Sequence, residues 1–190
     1  MKDISVGFAL CGSFCTFGKA IEQMRLLVAS GARVTPIMSE NAYSTDTRFG
    51  TAEHFRNELE SICGEKIIHT VSSAEPVGPK RMFDVLLVEP CTGNTLAKLA
   101  NGITDTAVTM ACKSHLRNSR PLVLAVSTND ALGNSARNIG ALLNYKNIYF
   151  VPMKQDDCIN KPRSVVADFS QTQNAILSAL NGEQVQPIFC

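Results

Sequence analysis

The stretch that most constrains this chain runs from Asp84 to Asp105. It opens on an apolar run, Asp84-Val-Leu-Leu-Val-Glu-Pro90, long enough for a buried strand. A polar turn follows, Cys91-Thr-Gly-Asn-Thr95, and leads directly into a helical pattern of Leu96, Leu99 and Ala100. A strand that ends in a Thr/Gly/Asn turn at a helix start puts backbone N–H groups and small hydroxyls at the carboxyl edge of a sheet. In open α/β folds that edge is where ligands sit. The same residues also read as an ordinary strand-to-helix turn with a Thr or Asn N-cap.

The alternation extends along the whole chain. Ile4 to Leu10, Arg33 to Met38, Ile67 to Val71, 84–89, Leu122 to Val126 and Ile148 to Val151 read as strands. Helical spacing separates them: Ile21, Met24, Leu27 and Val28; Phe55, Leu59 and Ile62 within 49–62; and a pattern at 132–144. A helix at 165–181 closes the chain, and Ser72 to Arg81 reads as a Pro/Gly-rich connection. Strands alternating with helices through short turns imply a parallel sheet covered on both faces. The expected fold is α/β: a three-layer, Rossmann-like or flavodoxin-like doubly wound parallel sheet of about six strands. All 190 residues fall within one domain, without repeat, linker or low-complexity tract.

Composition removes several function classes. A net charge of +1 with 18% charged residues gives no basic surface for nucleic acid, and no apolar run approaches the ~18 residues of a membrane span. The N-terminus lacks a signal-peptide layout. Seven cysteines, an odd number with no Cys-x-x-Cys pair, fit the reducing cytoplasm better than a disulfide framework or a zinc site, so no metal is expected.

Chemistry is then expected at the turns. Gly12-Ser13-Phe14-Cys15-Thr16-Phe17-Gly18-Lys19 follows a strand and opens a helix, which suits an anion. It is not a P-loop, since five residues separate the glycines and Ala20 stands where a hydroxyl should bind magnesium. Nor is it Gly-x-Gly-x-x-Gly, so no nicotinamide dinucleotide site is evident. Ser39-Glu-Asn-Ala places a hydroxyl past the second strand, and Ser127-Thr-Asn129-Asp130 adds a polar turn after the fifth. Lys154, Lys161 and Arg163 follow the sixth strand; they suit a dianionic substrate, Arg163 by bidentate carboxylate binding, and read equally as a solvated basic loop. His69 falls in the expected third strand, and His54 and His115 on helices expected to be exposed; each reads as structural.

These turns carry a resemblance. Gly12-Ser-Phe-Cys-Thr-Phe-Gly-Lys is similar to the Gly-Ser-Ile-Ala-Ala-Tyr-Lys loop of the FMN-binding cysteine-decarboxylase flavoproteins. Pro90-Cys-Thr-Gly-Asn-Thr, with its continuation Leu-Ala-Lys-Leu-Ala-Asn-Gly-Ile-Thr-Asp, resembles their Pro-Ala-Ser-Ala-Asn-Thr motif and its helical extension. Ser39-Glu-Asn-Ala matches their second-strand turn, and Val126-Ser-Thr-Asn129 stands where they carry Pro-x-Met-Asn. The similarity covers roughly residues 4 to 152. It implies FMN held by Gly12, Ser13, Phe14, Ser39, Thr92, Gly93, Asn94, Thr95, Ser127 and Asn129. It also implies a homo-oligomer with its flavin site at a subunit contact, for which 39–48 and 72–81 are candidate contact loops.

The Cys11-to-Phe17 loop and the tail Val151-Pro-Met-Lys-Gln-Asp-Asp-Cys-Ile-Asn-Lys-Pro-Arg-Ser are most similar to the branch of that family serving dipicolinate formation in spore-forming bacteria. That branch implies a cytoplasmic protein of the mother cell and a partner A subunit that brings NADP. Two departures bear on chemistry. The family's catalytic His, about eight residues before the Asp of the fourth strand, is Pro76 here, and the Met of Pro-x-Met-Asn is Thr128. Proline cannot transfer a proton. Three functions stay open: a flavin-dependent oxidoreductase subunit, an FMN-dependent decarboxylase of the phosphopantothenoylcysteine type using another acid, and a non-catalytic activating subunit.

Overall fold

A computed structural model describes residues 1–190. In chain order the elements are β1 (Ser5–Leu10), α1 (Phe17–Ala29), β2 (Arg33–Met38), α2 (Glu40–Ser44), α3 (Ala52–Cys63), α4 (Val71–Ala74), β3 (Val85–Cys91), α5 (Gly93–Ala100), α6 (Ala107–Leu116), β4 (Leu122–Thr128), α7 (Asn134–Leu143), β5 (Ile148–Phe150), β6 (Met153–Lys154), β7 (Val165–Ala167) and α8 (Thr172–Leu180). Strands β2, β1, β3, β4 and β5 lie side by side in that order, all parallel. This is the doubly wound order whose switch point lies between β1 and β3.

The apolar runs of β1, β3 and β4 are buried on both faces because helices cover both. Alternate residues of each strand feed two separate cores. Phe8, Leu10, Leu87 and Ala125 pack under α1 and α8, while Ala9, Leu86, Val88 and Leu124 pack under α5, α6 and α7. The helix starts are locally encoded: Ser39, Thr51, Thr70, Thr92 and Thr106 each accept a hydrogen bond from a first-turn amide of the helix that they precede.

Several expectations are corrected. Ile67 to Val71 is not a strand: Ile67 and Ile68 are buried, but only Ile68 pairs with β2, through a single bridge to Ile37. The Thr70/Ser73 capping box then turns the chain into α4, so the 72–81 connection begins as helix and continues as a 3₁₀ turn over Glu75–Val77. The expected helix at 165–181 begins only at Thr172, and the sheet is not wholly parallel. Val165–Ala167 forms β7, antiparallel to both β4 and β6, because β4 outruns β5 and its last residues, Ser127 and Thr128, take Val166 and Val165 as partners. His115 is buried on α6 rather than exposed. Its Nε2 lies 3.0 Å from the Pro121 carbonyl oxygen, and burial pushes its pKa down to about 4.

Candidate functional site

Four turns meet at the carboxyl edge of β1, β2, β3 and β4. The first leaves β1 when the Cys11 amide donates to the Pro90 carbonyl of β3 at 3.2 Å, and the Ser13 amide closes a tight turn onto the Cys11 carbonyl at 2.7 Å. The Ser13 hydroxyl lies 2.8 Å from that of Ser127 at the end of β4, so β1 and β4 are tied together across the end of β3. Thr16, buried just before α1, donates to the Ser13 carbonyl at 2.8 Å and lies 3.4 Å from the Ser127 hydroxyl.

Ser39, whose amide donates to the Leu10 carbonyl at 3.1 Å, accepts from the Ala42 amide at 3.3 Å. Thr92 caps α5, and the Thr95 hydroxyl donates to Cys11 Sγ at 3.2 Å. Burial pushes the Cys11 thiol up to about 11 against that donor, so it is neutral and no nucleophile at pH 7. On the β4 turn, Asp130 Oδ1 accepts from the hydroxyls of Thr128 at 2.6 Å and Ser135 at 2.9 Å. The Thr128 hydrogen bond, then that of Ser135, holds this carboxyl below its ordinary value.

Two clefts open on either side of Gly12 and Thr92. One, of about 440 Å³, lies between Ser39, Asn94, Thr95 and Lys98. The other, of about 370 Å³, lies between Ser13, Thr16, Ser127, Asn129 and Lys161. Both volumes fall in the range of small-molecule sites, roughly 300–1,000 Å³. The amides of Gly12, Phe14 and Cys15 on the first turn, and of Gly93 and Asn94 at the start of α5, find no acceptor in the chain. Such free helix-start and turn N–H groups, with hydroxyls beside them, fit a phosphate and a polyol chain. The donor set at this edge therefore fits FMN.

Of the residues expected at the site, Gly12, Ser13, Ser39, Thr92, Asn94, Thr95, Ser127 and Asn129 line the two clefts. Phe14 does not; its ring packs 5.0 Å from that of Phe17 at the edge of the core. Gly93 serves close approach: a Cβ there would lie 2.7 Å from Ser135 Oγ and 2.8 Å from Thr128 Oγ1. The basic trio does not converge. Lys161 faces the Ser127 cleft and lies 3.5 Å from Asp156, Lys154 lines a separate groove beside Lys19 and Glu22 of α1, and Arg163 packs against Gly133.

The expected set missed Thr16, Lys98, Asp105, Asp130 and Asp156, all of which line the clefts. Lys98 and Asp105 form an ion pair at 2.8 Å. Their seven-residue spacing across the end of α5 was visible in the sequence but carries no pairing signal by itself. Pro76 lies in the 3₁₀ turn packed beside α6, and neither cleft includes it.

Comparison with known proteins gives the same family as the turn motifs. The family model described as Flavoprotein matches residues 1–177. The B subunit of dipicolinate synthase from Bacillus subtilis (strain 168) is 43% identical over 188 residues, which is 99% of this chain and 94% of the relative. The crystal structure of the corresponding B subunit from Bacillus halodurans C superposes with a TM-score of 0.91 at 42% identity, over 100% of this chain and 97% of that one. The FMN-dependent cysteine decarboxylase SpaF shares the fold, with a TM-score of 0.65 at 22% identity over 94% and 95% of the two chains. The chain belongs to the Flavoprotein family, among the relatives of the dipicolinate synthase B subunit.

Proposed function

We propose that the chain is the FMN-binding subunit of a two-subunit dipicolinate synthase, contributing to oxidation of a dihydrodipicolinate-type precursor during sporulation. The observation that carries this reading is the polar edge at the β1/β3 switch point. Uncommitted amides and the Ser13–Ser127 hydroxyl pair meet there in a chain 43% identical to a B subunit of dipicolinate synthase. In this reading the amides of Gly12 and Phe14 and the Ser39 hydroxyl hold the phosphate, and Thr92, Asn94 and Thr95 hold the polyol and the ring. When bound, FMN supplies a hydride acceptor for the dihydropyridine. The residues of the chain bind and orient, and the β6–β7 hairpin, through Asp156 and Lys161, walls the Ser127 cleft on its outer side.

A partner A subunit binding NADP supplies the route by which electrons leave, since this chain carries no dinucleotide fingerprint. Decarboxylation is disfavoured. Pro76 replaces the family's His, and Thr128, in place of the Met, spends its hydroxyl on Asp130.

The test is the visible spectrum of the purified protein, alone and with its partner. Flavin absorbance that bleaches when the dihydro precursor is added supports the reading. A colourless protein that takes up no FMN overturns it, and a flavin that stays oxidised through turnover reduces the chain to an activating subunit.

A further inference from the structure

Away from the polar edge, apolar side chains stay open where α5, α6 and the turn between α7 and β5 come together. Leu99, Ile103, Leu116 and Ile148 line a groove of about 390 Å³ there. Tyr145, whose hydroxyl donates to the Ala100 carbonyl at 3.3 Å, lines this groove and a second one of about 460 Å³, which runs along β5 to Leu143 and Tyr149. Ile103 is 46% exposed and Tyr145 47%. Single exposed apolar residues are ordinary, but neighbouring ones that line adjoining grooves mark a surface that meets another molecule.

The rim carries one sign of charge. Lys113 and Arg117 flank the first groove and Lys146 the second, and no Asp or Glu lines either. All three cations are exposed and none makes an ion pair. Lys113 and Arg117 stand one turn apart at the end of α6, a spacing at which like charges disfavour each other. Such an acid-free rim is complementary to an anionic occupant. The shape of that occupant follows from β5, the outermost of the parallel strands, whose open edge would otherwise accept an added strand. Gln184 closes it: its Oε1 accepts from the Phe150 amide at 2.7 Å, and its Nε2 donates to the Phe150 carbonyl at 2.8 Å. The Ile148 amide donates to the Tyr145 carbonyl at 3.3 Å. With the strand edge taken, side-chain grooves remain, and these suit the apolar stripe of a helix.

We infer that this face docks an acidic amphipathic helix of a partner chain, with its apolar stripe in the grooves and its carboxylates on Lys113, Arg117 and Lys146. The partner is the A subunit, an assignment that rests on the two-subunit reading of the enzyme. The acidic helix of this chain does not serve in a second copy: α3 buries Phe55 and Leu59 in its own core, and its Glu58 and Glu60 are paired with Arg25 and Lys66. The grooves share no residue with the two clefts of the polar edge, so the contact occupies neither cleft.

A Lys113→Glu/Arg117→Glu double variant tests it against a Lys2→Glu/Lys66→Glu control, which makes the same change of charge outside both grooves. Both are first checked for native far-ultraviolet circular dichroism. Two ligands are titrated: the A subunit, followed by calorimetry, and a labelled helical peptide with leucines on one face and glutamates on the other, followed by fluorescence anisotropy. The expected result is binding of both by the parent, weakened by salt, with about a tenfold or greater loss in the double variant and none in the control. Ile103→Ser should weaken both ligands without any change of charge. A double variant that binds the A subunit as the parent does overturns the inference, and so does a parent that fails to bind the peptide. A double variant whose own sedimenting species is smaller than the parent's also overturns it, because a second copy then covers the face. If the parent and the A subunit do not associate, the two-subunit reading falls separately. The peptide then decides the face: a loss confined to the double variant supports the docking of an acidic helix, and equal binding by both variants overturns it.

Discussion

Glu89 should make the protein lose stability as pH rises, and a Glu89→Gln variant should not share that loss. The carboxyl is fully buried on β3, three residues before Thr92. Its Oε2 accepts from the Thr172 hydroxyl at 2.7 Å, and its Oε1 has no partner. Burial, opposed only by the Thr172 hydrogen bond, raises its pKa from 4.5 to about 8. The folded protein therefore holds a proton that the unfolded chain releases above its own pKa. Stability falls with pH wherever the native state binds more protons, here between the unfolded value and the folded one. From pH 5.5 to 8 that linkage amounts to about 3 kcal/mol lost by the parent. Glutamine keeps the shape and cannot ionise. Whatever constant cost its amide adds, the change in stability between the two pH values should differ from the parent's by about 3 kcal/mol. Every other titrating group, His115 included, is common to both proteins and cancels. Urea denaturation at pH 5.5 and pH 8 measures the four stabilities. Parallel pH dependences in the two proteins would show that Glu89 ionises freely in the fold and that the reasoning fails.

Ser39→Leu should abolish FMN uptake, measured by equilibrium dialysis, because the side chain fills the cleft beside Gly12 and removes a hydroxyl; uptake equal to the parent's would move the phosphate elsewhere. Gly93→Ala drives a methyl to 2.7 Å from Ser135 Oγ and should cost about 1–3 kcal/mol. An unchanged thermal midpoint would mean that the start of α5 and the β4 turn part without penalty. The isolated protein should release no CO₂ from cysteine-ended peptides or phosphopantothenoylcysteine, since Pro76 and Thr128 stand where the family's His and Met do; sustained turnover in a coupled CO₂ assay refutes this.

The features legible in the sequence divide from the illegible ones by range. Strands β1, β3 and β4 announced themselves as apolar runs because each is buried on both faces, and the turns Gly12–Ser13, Ser39, Thr92–Thr95 and Ser127–Asn129 were legible because hydroxyls and glycines punctuate strand ends. Pairings between distant residues were not. Ser13 and Ser127 meet across 114 positions, and no local pattern links them. β6 and β7 are two and three residues long, too short for alternation to register, so Val165–Ala167 read as the start of a helix. The scatter of Lys154, Lys161 and Arg163 has the same origin: neighbours in sequence become strangers once a hairpin separates them. Ile67 and Ile68 misled in the opposite sense, since burial without a continuing ladder is not a strand.

The protonation states at the edge limit what its chemistry can be. Cys11 is neutral, its pKa pushed up to about 11 by burial. Asp130 is held ionised by the Thr128 and Ser135 hydroxyls, and the lysines Lys98 and Lys161 are tied to carboxylates. None of the three histidines lines either cleft: His54 is on α3, His69 stacks on Tyr43 at 3.9 Å, and His115 is buried on α6 with its pKa pushed down to about 4. General acid–base catalysis needs a group that exchanges its proton near the working pH and reaches the reacting atoms. Glu89, at about 8, meets the first condition but is enclosed by the core with Thr172 as its single partner. An edge so equipped binds and orients, and leaves proton transfer to groups outside this chain's two clefts. Hydride transfer to a bound flavin needs orientation and no local acid from this edge, whereas the family's decarboxylation relied on a His that is Pro76 here. The inventory of this edge thus favours oxidation over decarboxylation.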